Sequence, residues 1–114
     1  MYGGAYYLCG YVVECALKAC ICKKTREFDF VHSPKIAQLA WTHDFQKLTS
    51  VSGLKTSLDD ERRIDRDLDE NFAIVAGWSE ESRYEMREQK EAADLYSAIA
   101  DQAHGVLRCL EHYW

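Results

Sequence analysis

One proline and six glycines in 114 residues are too few for a fold built on frequent tight turns. No stretch alternates apolar and polar residues as a half-buried strand does, and no segment repeats, so a sheet is not expected. A glycine-rich phosphate loop is also lacking, because Gly3-Gly4 precedes a helical stretch but follows no strand. The four histidines are scattered, and no Cys/His spacing forms a zinc set. The weak exception is His104 and His112, two helical turns apart, with Cys109 on another face. No metal or cofactor is therefore expected. The start has no basic segment, apolar run and small-residue cleavage site, so it does not read as a signal peptide. It begins almost inside a helix, which points to a missing upstream turn or a truncated start.

The composition that remains is that of one soluble globular domain, 47% hydrophobic and 29% charged, long enough to bury a core without staples. Its net charge of -5 is unevenly spread. Residues 1–57 carry 7 Lys/Arg against 4 Asp/Glu, and residues 58–114 carry 7 against 15. The acidic half argues against a broad nucleic-acid face there, while Lys18, Lys23, Lys24 and Arg26 leave room for a small anion site. Cys9, Cys15, Cys20 and Cys22 fall on one predicted helix, where they cannot bridge one another. That usage suits a reducing, cytoplasmic setting with Cys as a small core residue.

The organising stretch is Gly3 to Lys24. Leu8, Val12, Cys15, Ala19 and Cys22 recur at helical spacing, and Ala5, Cys9, Ala16 and Cys20 form a second stripe beside them. A helix apolar nearly all round belongs inside a bundle or in a membrane. Glu14 and Lys18 decide for the bundle, since each would cost about 2.5 to 3.5 kcal/mol at a helix centre in lipid. The uninterrupted apolar run also falls short of the roughly 18 residues of a span. No membrane partner is expected.

Lys23, Lys24 and Arg26 suit the negative end of this helix's dipole, so it should stop near Lys24, with a loop over residues 25–33. Ser33-Pro34 can start a short turn through Ala40. Thr42 to Leu48 reads as a short helix capped by Thr42 and ending before Gly53. A third helix begins at Thr56 or Ser57 and runs through Leu58, Ile64, Leu68, Phe72 and Val75 to Gly77. Arg62, Arg63 and Arg66 among Asp65, Asp67, Asp69 and Glu70 make it a solvated, ion-paired outer face. After a polar connection over residues 77–87, one long helix is predicted from about Glu88 to Tyr113. Its stripe is Ala92, Tyr96, Ile99, Ala103, Val106, Leu110 and Tyr113. The expected fold is all-α, an antiparallel four- or five-helix bundle with one short helix and three long ones.

These residues carry a family likeness. Ala5-Tyr6-Tyr7-Leu8-Cys9-Gly10-Tyr11-Val12-Val13-Glu14-Cys15-Ala16-Leu17-Lys18-Ala19 resembles the first-helix signature of the HEPN domain (higher eukaryotes and prokaryotes nucleotide-binding). Thr42 to Leu48 resembles its second-helix signature, and Trp78 with Ser82-Arg83-Tyr84 resembles the connection before its last helix. The resemblance covers most of the chain, in order. It implies a bundle of HEPN type, commonly a homodimer, often encoded beside or fused to a small nucleotidyltransferase. Some members are metal-independent ribonucleases of toxin–antitoxin or antiviral systems; others are binding or assembly modules, and a nucleotide or RNA ligand is compatible with either.

The family's ribonuclease motif is an Arg, a short gap, then a His, with Arg steadying a phosphate and His moving a proton on the ribose hydroxyl. Arg26 and His32 have the spacing but fall in the loop after the first helix. Arg108 and His112 share a helix face but stand too close together. Neither pair is a secure catalytic site. A polar cluster of Tyr7, Tyr11, Glu14, Lys18, Arg83 and Tyr84 is the better-placed candidate, because buried charges need partners. Glu14 either helps floor a polar cleft or receives Arg83 and pins the long connection; the second is favoured. His43 is expected to shape the start of the short helix. Trp41, Trp78 and Trp114 read as packing anchors, with Tyr113 and Trp114 also suited to a dimer contact. Two functions follow: a dimerising assembly module paired with a nucleotidyltransferase-type protein, or a ribonuclease with a displaced Arg/His pair.

Overall fold

A computed structural model of the chain describes residues 2–28, 42–81 and 86–114, the side chains of 25–28 excepted. Six α-helices make up the described residues, and no strand occurs among them. They are α1 (Tyr2–Phe28), α2 (Phe45–Ser52), α3 (Lys55–Ile64), α4 (Arg66–Ala76), α5 (Gln89–Ala100) and α6 (Val106–Glu111). α1 runs one turn past Lys24, and the expected turn at residues 33–40 lies outside the described residues.

α1 packs chiefly against α5 and α2 and less extensively against α6, while α4 packs against α5. The core is Tyr6, Val13, Ala16, Leu17, Cys20 and Ile21 of α1 set against Leu48, Leu68, Val75, Leu95, Ile99, Val106 and Leu110. Leu48, Leu95 and Leu110 are wholly buried, each contributing about 1.5–3 kcal/mol of transfer free energy.

Three expectations about the helices are corrected. The first concerns α1, which is not buried all round. Leu8 is 61% exposed and Val12 43%, and Cys15, Ala19 and Cys22 are exposed as well. The stripe assigned to the core is the outward one. The inward side instead carries Tyr6, Val13, Leu17 and Ile21, whose burial outweighs that of the smaller stripe, and Glu14 lies among them at 1% exposure.

The second correction is a break at Asp65, whose extended backbone (φ -112, ψ 101) ends α3 and whose side chain caps α4 by accepting from the Leu68 N–H. A cap needs an acceptor on a non-helical residue, and Asp provides both. Ile64 beside the break is 87% exposed rather than core. α3 also starts earlier than predicted, after Leu54, and α2 is capped by Asp44 rather than Thr42.

The third correction divides the last helix between Ala100 and Val106. The Asp101 carboxylate accepts from the Ala103 and His104 N–H groups, and the Gly105 N–H donates to the Asp101 carbonyl. A Cβ at Gly105 would overlap the Asp101 and Ile99 carbonyls, so the tight turn needs glycine. Tyr96 and Ala103 face outward, while Ala92, Ile99, Val106 and Leu110 keep their predicted burial.

Candidate functional site

Glu14 sits midway along α1, facing the space between α1, α2 and the segment after α4. Its Oε1 lies 2.7 Å from His43 Nδ1 and its Oε2 accepts from Lys18 Nζ at 3.3 Å. With Glu14 Oε1 as the acceptor, His43 donates from Nδ1 and its Nε2 points away from Glu14. Nε2 lies 3.4 Å from Glu80 Oε1. His43 is held at this distance because Thr42 Oγ1 accepts from the Asp44 N–H while Asp44 caps α2, bonding the Gln46 and Lys47 N–H groups.

An aromatic column stands beside this chain of polar contacts. Tyr11 stacks on Tyr7, Tyr7 on Trp78, and Trp78 on Phe45, the last with centroids 5.0 Å apart and planes within 11°. Trp78 is buried, and a Cβ at Gly10 would overlap its indole ring, so glycine in α1 admits the tryptophan. Phe45, Trp78 and His43 line a cleft of about 670 Å³ whose rim carries Asp44, Glu80 and Glu81. The buried carboxylate can orient the imidazole, and the rim offers a negative field to whatever enters. It does not suit a polyanion.

Of the predicted polar cluster, the structure brings together Glu14 and Lys18, with Tyr7 and Tyr11 stacked alongside. Arg83 and Tyr84 lie outside the described residues, as do His32 and the Arg26 side chain. Arg108 Nη1 is 3.4 Å from Glu111, and His112 is the exposed C-cap of α6. Trp78 is a packing anchor as expected, whereas Trp114 is 42% exposed. The residue that sequence reasoning underrated is His43. Its partner is 29 positions away, and only the need of a buried carboxylate for a donor signals the pairing.

A second polar cluster joins the two helix breaks. His104 Nδ1 lies 2.7 Å from Asp65 Oδ2, and Nε2 is 3.8 Å from Asp67. The hydrogen bond from His104 holds the Asp65 carboxyl below its ordinary range, and the same bond raises the imidazole above 6.5. The donor atoms of Asp65, Asp67 and His104 lie within 4.8 Å of one another, close enough to hold a metal ion. Asp65 Oδ1 already caps α4, however, and its Oδ2 is engaged by His104. The trio therefore serves as a clamp between the Asp65 break and the 101–105 turn. His104, His112 and Cys109, the weak metal candidate of the sequence, do not form a ligand group among the described residues. Cys109 instead contacts Glu61, which also accepts from the Tyr113 hydroxyl. Burial, with the Glu61 charge beside it, pushes the Cys109 thiol up to about 12, which rules it out as a nucleophile near neutral pH. All five cysteines are free thiols.

α1 passes by length and composition as a membrane span over Tyr2–Lys24. The same test is met by core helices of soluble proteins, and Glu14 in α1 is packed into this core.

Compared with known proteins, the chain matches no family model, no curated protein and no solved structure.

Proposed function

We propose that this chain is a self-associating assembly module rather than an enzyme, a cytoplasmic HEPN-like helical domain that works with a protein partner. The observation that carries this reading is the outward face of α1, where Leu8, Val12, Cys15, Ala19 and Cys22 lie exposed in one unbroken apolar stripe. Exposed contiguous apolar surface marks a contact site, and a closed two-fold pair is the commonest way for a small domain to cover it. The HEPN affinity rests on the motifs in α1, α2 and around Trp78. A partner of nucleotidyltransferase type, and with it a bound nucleotide, rests on that resemblance alone.

The ribonuclease reading is less well supported by the geometry. An RNA-cleaving site needs a cation where the phosphate sits. The two organised imidazoles among the described residues both face carboxylates: His43 looks out on Glu80 with Asp44 and Glu81 beside it, and His104 lies against Asp65 and Asp67. Light scattering at micromolar concentration tests the proposal: a dimer is expected, and a monomer contradicts it. Metal-independent RNA cleavage abolished by His32→Ala, His43→Ala or His112→Ala would replace it with the nuclease reading.

A further inference from the structure

The outward stripe of α1 is longer and more regular than its five exposed members first suggest. Ala5 is exposed too, and Ala5, Leu8, Val12, Cys15, Ala19 and Cys22 follow the alternating three-four spacing of a heptad seam without interruption. The seam carries no charge, and the opposite side of α1 is committed to the core through Val13, Leu17 and Cys20. The first half of the seam is bulky and the second half small. Its two largest members, Leu8 and Val12, lie in the first half, and reversing one copy sets them against the smaller Ala19 and Cys15 of the second half.

We propose that α1 pairs with α1 of a second copy, antiparallel, about a two-fold axis passing near Val13 and Glu14 in sequence. This deepens the assembly reading above and rests on it. Reversal sets Leu8 against the partner's Ala19, Val12 against the partner's Cys15, and Ala5 against the partner's Cys22. Each layer then joins a larger residue to a smaller one or two small ones, which lets the backbones approach closely. A parallel pair would instead stack Leu8 on the partner's Leu8 at one end and leave cysteine and alanine facing each other across a gap at the other.

Charge selects the same orientation. In heptad geometry the flanking positions decide direction. Lys18 and Lys23 occupy flanking positions five residues apart, the separation that brings them together across a parallel pair, so a parallel dimer would oppose like charges twice. The antiparallel pair separates them and brings Lys18 toward the partner's Tyr11, where an ammonium over an aromatic face is favourable. Tyr11 is 42% exposed and open to such a contact. Opposed helix dipoles favour it further.

The test uses the full chain with Cys15→Ser, which leaves Cys22 as the exposed thiol of the seam. Under mild oxidation with diamide this variant should form no Cys22-linked dimer, because antiparallel packing holds the two Cys22 residues about 26 Å apart along the axis. Adding Ala5→Cys should raise the disulfide-linked dimer at least tenfold, with mass spectrometry joining the peptide around position 5 to that around position 22, and Cys22→Ser should abolish it. A Cys22-linked dimer already present in Cys15→Ser overturns the orientation while leaving the assembly reading intact. A monomer by light scattering overturns both, and a monomer that sediments with phosphatidylcholine–phosphatidylserine vesicles reassigns the seam to a membrane surface.

Discussion

Glu14 and His43, 29 residues apart in the chain, meet at 2.7 Å beneath the aromatic column of Tyr11, Tyr7, Trp78 and Phe45. The carboxylate is almost fully buried, and Lys18 satisfies its other oxygen. This contact lies on the inward side of α1, opposite the exposed Leu8 and Val12.

Replacing Glu14 with Gln keeps the size of the side chain but removes the charge that Lys18 and His43 both answer. Such a change should lower stability by about 1–3 kcal/mol, the cost of disrupting a buried charge-assisted bond. Urea unfolding followed by circular dichroism measures it, and a loss under about 0.5 kcal/mol would show that the buried carboxylate is not held as described.

Gly10→Ala tests the close approach of Trp78 to α1. The added methyl has no room against the indole, and overpacking of this kind costs about 1–3 kcal/mol. Tryptophan fluorescence should shift red as the ring is displaced. An unchanged spectrum with unchanged stability would contradict the packing.

The His104–Asp65 clamp makes stability depend on pH in two directions. His104 titrates above its ordinary 6.5 when folded, so its contribution is complete below that value and is lost as pH rises through the raised one. Asp65 titrates below its ordinary 3.8, so its contribution is present above that value and is lost as pH falls through the lowered one. The clamp should help most between about pH 4 and 6.5. The difference in urea midpoint between wild type and His104→Gln should peak in that window, and a difference flat from pH 4 to 9 would refute the clamp.

The helices were largely legible in the sequence, but their ends and breaks were not. Leu58, Leu68 and Val75 keep one apolar rhythm across Asp65, as Ala92, Ile99, Val106 and Leu110 do across the 101–105 turn, because both pieces of each pair pack on the same core. Periodicity reports the face and is blind to a kink that preserves it. Asp65 is also hidden as a cap among the charged residues around it, whereas Gly105 was a visible signal. In α1 the difficulty was the opposite: apolar residues on every side give no contrast, and only Glu14 could orient the helix. Its partner His43 obeys no local spacing at all.

The central claim is that the outward face of α1 is an interface between two copies. Static light scattering of the wild-type chain and of Val12→Glu, both at about 20 μM, tests it most directly, at a concentration where a micromolar dimer forms. Val12 is 43% exposed, so the substitution should leave the circular dichroism spectrum and the fold unchanged. The wild-type mass should be twice 13.2 kDa and the Val12→Glu mass 13.2 kDa. Equal masses for the two proteins, whether both monomeric or both dimeric, would contradict it.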